Sequence, residues 1–91
     1  MGEDFKEIRT TVADLRIDAV AAAGYGISRS RMVEEIKAQN VFIDGVVAKK
    51  PSQEVTEGAE INFGKRAKVV VVEVGGTTKK GRVGLVLRRY V

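Results

Sequence analysis

Residues 15–47 read LRIDAVAAAGYGISRSRMVEEIKAQNVFIDGVV, and this run decides the fold. Its first part, Leu15 to Ala23, is alanine-rich and favours a helix. Gly24 and Gly26 are placed to end that helix, because glycine takes the left-handed conformation of a helix stop without strain. A second helix is expected from about Arg29 to Gln39. Met32, Val33 and Ile36 share one of its faces, Ser28 or Ser30 is a natural N-cap, and Asn40 closes it. Then VFIDGVV sets Asp44-Gly45 between two apolar runs, a strong signal for a two-residue β-hairpin turn.

Working outward, Lys49, Lys50 and Pro51 break the pattern. Gly58 marks a turn before a short strand at Glu60–Phe63. KVVVVEV, Lys68 to Val74, is β-branched and favours a strand. GGTTKKG, residues 75–81, reads as a loop, and VVVV and the final strand are candidate edges for another chain. In RVGLVLRRY, Val83, Leu85 and Leu87 alternate with Arg82, Val86 and Arg88. Residues 1–14 are polar and of mixed charge, and read as a short helix or a linker. The expected fold is α+β: two N-terminal helices packed on a small, mostly antiparallel sheet of four to five strands. Residues 1–14 are assigned as an N-terminal extension or linker, 15–64 as the core and 65–91 as a C-terminal β-hairpin extension of the same domain.

Composition narrows the chemistry. The 91 residues contain no cysteine and no histidine. Disulfides, thiolate nucleophiles, cysteine-ligated zinc and the commonest general base are therefore excluded. Glu34, Glu35, Glu54, Glu57 and Glu60 have no recognisable catalytic partners, so neither enzymatic activity nor a metal or cofactor is expected. The N-terminal MGEDFKEIRTT has no signal-peptide layout, and the absence of cysteine points to a reducing, cytosol-like compartment.

Charge is unevenly distributed. The net charge of +4 combines −2 over residues 1–18, −1 over 19–60 and +7 over 61–91. A cationic third of this kind favours a polyanionic partner. Lys65, Arg66, Lys79, Lys80 and Arg82 would follow a phosphate backbone if the fold gathered them on one face. GGTTKKG is not a P-loop, because the lysine spacing and the following helix are missing. The aromatics, Phe5, Tyr25, Phe42, Phe63 and Tyr90, are few, and Phe42 and Phe63 read as core. Shape and phosphate recognition of structured RNA is favoured over base stacking.

One detail is unusual. Arg29 and Arg31 lie in the first turn of the second helix, whose partial positive charge normally favours acidic residues. Two readings stand. Arg31 pairs with Glu35 at i,i+4, or the helix start, with Ser28 and Ser30, receives a phosphate. Arg16 and Asp18 likewise read either as helix-end electrostatics or as a pair that sets an RNA contact.

These residues carry a resemblance. Arg16-Ile17-Asp18, Ser28-Arg29-Ser30, Asp44-Gly45 and Gly58-Ala59-Glu60-Ile61 fall in the order and at the spacing of the S-four-type RNA-binding domain. That domain is named for small-subunit ribosomal protein four, and the likeness spans Leu15 to about Phe63. The resemblance implies an S-four-like fold with the αL-type motif. It implies binding to structured ribosomal or transfer RNA, ribosome association and a role in translation. By position it assigns RNA contact to Arg16, Ser28, Arg29, Ser30, Arg31 and Lys37, with Lys49 and Lys50 beside them. The tail TTKKGRVGLVLRRYV, with FKEIRTTVADLRIDAVAAAGYGISRSRM upstream, further resembles the C-terminal part of YlmH-like proteins, including the photosystem II S-four-domain group. That likeness admits a plastid stromal location as well as a cytoplasmic one, and a chain that is a piece of a longer protein. Two departures are visible: the turn Gly64-Lys65-Arg66-Ala67 holds less glycine than many relatives, and Ala59 displaces an acidic residue to Glu60. The expected partner is structured RNA, with the ribosome as its setting, no membrane and a monomeric chain. The alternatives are a protein-interaction module and the accessory RNA-binding domain of an RNA-modifying enzyme.

Overall fold

The computed structural model describes residues 4–90. The elements run β1 (Phe5–Val12), α1 (Ile17–Tyr25), α2 (Arg29–Lys37), β2 (Val41–Ile43), β3 (Val46–Val47), β4 (Glu60–Phe63), β5 (Val69–Thr77) and β6 (Val83–Tyr90). The strands form one sheet of six in the order β1-β6-β5-β4-β2-β3. Every neighbouring pair is antiparallel. The α+β class is as expected, with one strand more than the upper expectation.

The extra strand is β1, where a short helix or a linker was expected. Its eight residues pair in unbroken register with β6, from Phe5 opposite Tyr90 to Val12 opposite Val83. Ile8 and Val12 alternate onto the helix-covered face, where Val12 is buried and Ile8 packs on the core. The other β assignments hold, but β5 is longer than the apolar run. It continues through Gly75, Gly76 and Thr77, with register shifts against β6 that absorb the glycines. The expected loop shrinks to a turn around Thr78–Arg82. The valine run and the last strand are interior strands, so neither is the open sheet edge the sequence suggested.

α1 begins at Ile17, and Gly24 lies inside it rather than at its end. The stop is Gly26, at φ +68°, with the N–H groups of Gly26 and Ile27 both donating to the Ala22 carbonyl. Gly24 has a packing role instead. A Cβ there would stand 2.9 Å from Val69 Cγ1, so only glycine lets α1 lie this close to β5. α2 packs on α1 and buries Met32 and Ile36. It ends at Lys37, and the left-handed Gln39 (φ +65°) just beyond turns the chain, with the Gln39 and Asn40 N–H groups donating to the Ile36 and Glu35 carbonyls. The Asp44-Gly45 turn has positive φ at both residues, as a tight primed hairpin turn requires. Asp44 also fixes the hairpin to β4, its Oδ1 accepting from the Glu60 N–H at 3.0 Å.

The core lies between α1 and the sheet. Ile17, Val20, Met32, Val41, Ile61, Val69 and Leu87 are fully buried there. Phe63 joins them at 4% exposure, but Phe42 does not. Strand alternation turns Phe42 to the opposite face, where it is 36% exposed. On that outer face Arg88 covers the Phe5 ring at 4.4 Å and Lys68 covers the Tyr90 ring at 5.1 Å.

Tyr25 ties the end of α1 to the sheet. Its hydroxyl donates to the Ala67 carbonyl at 2.7 Å, with the Ile61 carbonyl at 3.1 Å. Its ring meets Phe63 edge-on at 5.3 Å. Burial pushes the phenol up to about 12, against hydrogen bonding and the nearby Arg66 and Arg89 charges, which pull it down. A group with a raised folded pKa stabilises fully below its unfolded value, and that contribution disappears as pH rises through the folded value. The fold should therefore lose stability between about pH 10 and about pH 12. Tyr25→Phe should flatten that part of an alkaline unfolding profile while lowering stability at neutral pH. An unchanged alkaline limb in the variant would show that other groups, such as lysines, set it.

Candidate nucleic-acid interface

Asp18 is the only charged or polar residue among the buried residues described, at 2% exposure. It sits in the first turn of α1, where the helix dipole favours a carboxylate. Its Oδ1 accepts from the Ala19 N–H at 2.7 Å. Its Oδ2 takes Arg16 Nη2 at 3.0 Å and Arg29 Nε at 3.3 Å. The side chains of Arg16 and Arg29 stay 38% and 47% exposed. One buried carboxylate thus fixes two half-exposed guanidiniums, one at the start of each helix.

This changes the account of the arginines. A charge facing the wrong end of a helix dipole costs about 0.3–1 kcal/mol at an exposed site. A hydrogen-bonded pair to a charged group contributes about 1.5–3 kcal/mol. Arg29 is therefore held at the helix start by Asp18, without any ligand. Arg31 is different. Among the described residues it has no ion pair, and Glu35, its expected partner, accepts from Asn40 Nδ2 instead.

The two helix starts differ in what they offer. That of α1 is closed: the Ile17 N–H donates to the Gln53 carbonyl at 2.8 Å and the Asp18 N–H to the Pro51 carbonyl at 3.3 Å. The segment supplying those carbonyls follows Lys49 and Lys50, both of which are exposed. That of α2 is open. Ser28 is the N-cap, its Oγ accepting from the Arg31 N–H at 3.2 Å. The N–H groups of Arg29 and Ser30 have no partner among the described residues. Ser28, Ser30 and Arg31 are all exposed around them.

Arg82 reaches this region from the far end of the sequence. Its Nε donates to Thr11 Oγ1 at 2.9 Å and its Nη2 to the Thr11 carbonyl at 2.7 Å. Arg29 and Arg82 line one groove, with Ala19, Ala22 and Ala23 of α1 alongside.

The remaining expected contacts are dispersed. Lys37 is exposed in the last turn of α2, where it suits the dipole. Lys65 and Arg66 are in the turn before β5. The Arg66 guanidinium stacks over Phe63 at 5.1 Å, by the Tyr25 end of α1. Lys79 and Lys80 are exposed at the β5–β6 turn that ends at Arg82. Three structural roles had no counterpart in the sequence reading: Asp18 as partner of Arg29, Thr11 as the seat of Arg82, and Arg89, whose Nη1 donates to the Gly24 carbonyl at 3.1 Å.

The family model described as the S4 domain matches residues 15–61, from Leu15 just before α1 through the first residues of β4. The chain belongs to the S4 domain family. Its match covers Asp18, both arginines it holds and the open start of α2, and S4 domains are a general RNA-binding module. β1, β5 and β6 lie outside the match, so this S4 domain carries three further strands in the same sheet. No curated protein matches the chain. Among the described residues no helix is long and apolar enough to cross a membrane.

Proposed function

We propose that this S4 domain binds structured RNA, ribosomal or transfer RNA by family likeness, through phosphates docked at the start of α2. The observation that carries this reading is the open helix start: two unpartnered N–H groups, the unpaired Arg31, and Arg29 fixed beside them by Asp18. Backbone donors at a helix start favour an anion, and guanidinium forks match phosphate oxygens. Arg16, Lys49 and Lys50 extend the charge across the closed start of α1. Lys37, Lys65 and Arg66 act at longer range, through the field of the whole domain.

Contacts of this kind release counterions. The dissociation constant for a folded ribosomal RNA stem-loop should rise on the order of 10²-fold between about 50 mM and about 200 mM salt, as about three or four phosphate contacts require. A dissociation constant that does not respond to salt would sink the phosphate reading. A soluble complex that survives nuclease and high salt would favour a protein partner instead.

A further inference from the structure

The groove between Arg29 and Arg82 brings together two cations that are each tied to the fold on one side, Arg29 to Asp18 and Arg82 to Thr11. Its volume is about 200 Å³, and alanines 19, 22 and 23 form its α1 side. Thr11, Val12 and Ala13 form the side nearest β1. Two cations therefore flank a small apolar floor. Like charges facing one groove repel unless an anion enters. Each cation is anchored from behind, Arg29 by Asp18 and Arg82 by Thr11. In both, Nε and Nη2 make the anchoring bonds. Nη1 makes no hydrogen bond among the described residues in either, so each guanidinium keeps donors for a ligand.

Arg82 has a second effect. The Thr78 N–H donates to the Arg82 carbonyl at 2.6 Å, and the Arg82 N–H donates to Thr78 Oγ1 at 3.2 Å. The turn holding Lys79 and Lys80 is thus closed on Arg82, and Arg82 is pinned to Thr11. A turn at the end of a two-stranded ribbon is otherwise free to sway. Here it is moored beside the groove, and both lysines are exposed on it.

We propose that a backbone phosphate of the bound RNA sits in this groove between Arg29 and Arg82, and that the strand continues onto the moored Lys79–Lys80 turn. The proposal rests on the RNA reading above and extends it beyond residues 15–61, the stretch the family match covers. The footprint then runs from the start of α2, over the α1 alanines, to the β5–β6 turn. Arg82 contacts the phosphate and also positions the turn. Thr11 is a positioning residue.

The test is a salt series of filter binding with folded bulk ribosomal RNA. It compares the wild-type chain, Arg29→Ala/Arg31→Ala, Lys79→Ala/Lys80→Ala and Arg82→Lys. The lysine pair is exposed, so that variant should fold normally and lower the slope of log affinity against log salt by about 1.4–1.8. Arg82→Lys keeps the charge and loses the fork on Thr11. It should weaken binding about 5-fold, the effect of one net hydrogen bond. If the Lys79/Lys80 variant keeps the wild-type slope while Arg29→Ala/Arg31→Ala loses affinity, the groove proposal is overturned and the α2 site stands. An Arg82→Lys chain that melts earlier but binds as wild type would also overturn it. Loss in neither set, or no binding by the wild-type chain, would overturn both.

Discussion

Asp18→Asn should lower the melting temperature by about 10 °C and weaken RNA binding in the same step. Asn keeps the shape and can still accept from the Ala19 N–H. It cannot compensate two guanidiniums, and its amide hydrogens face them. Removing one partner of a buried ion pair costs about 3–5 kcal/mol when the other charge stays buried. Here Arg16 and Arg29 are 38% and 47% exposed and regain water, so about 2 kcal/mol is expected. For a domain of this size that corresponds to a shift of about 8–16 °C. The binding loss follows from geometry. Without the shared carboxylate, Arg29 is free to leave the start of α2, and ordering it again costs rotamer entropy. Thermal unfolding and RNA titration of the same sample check both parts. A variant with wild-type melting would mean that the cluster contributes nothing to stability. A melting loss with unchanged affinity would separate Asp18 from the RNA site.

Arg29→Ala/Arg31→Ala should reduce affinity for structured RNA about 100-fold at moderate salt, through loss of two charge-assisted contacts of about 1.5 kcal/mol each. The slope of log affinity against log salt should fall by about 1.4–1.8. The single variants should divide the effect. Arg31 makes no side-chain contact among the described ion pairs and hydrogen bonds, so Arg31→Ala should bind less tightly and melt as wild type. Arg29→Ala removes one of the two cations on Asp18, so it should lose affinity and about 1 kcal/mol of stability together. Binding and melting curves on the four chains give the answer. Equal affinity across all four would remove the start of α2 from the interface.

How far the sequence revealed this depends on the range of each interaction. The Asp44-Gly45 turn and the Glu60–Phe63 strand follow from neighbouring residues and stand where local rules put them, and Ser28 is the cap of the two serines those rules allowed. β1 was not legible, because FKEIRTTV is mostly polar and becomes a strand only through β6, at the other end of the chain. Gly75 and Gly76 hid the end of β5, since glycine is a poor strand former and register shifts cannot be read locally. Phe42 was misplaced because a three-residue strand gives too little alternation to set its face. At the site, Ser28, Arg29, Ser30 and Arg31 were legible as an unusual helix start. The reason Arg29 tolerates its place was not. It lies eleven residues back, in Asp18, and only the packing of α2 on α1 joins the two. Arg82 and Thr11 are separated by most of the chain, and their pairing required the sheet order.

The central claim is that RNA phosphate docks where α2 begins. An amide chemical-shift titration with a folded ribosomal RNA stem-loop, at low and then raised salt, tests it most directly. The account predicts shifts clustered on Arg16, on Ser28 to Arg31 and on Lys49 and Lys50, fading as salt rises. Shifts confined to the outer sheet face around Phe42, Val70 and Arg88, or a pattern at the α2 start that salt leaves unchanged, would contradict it.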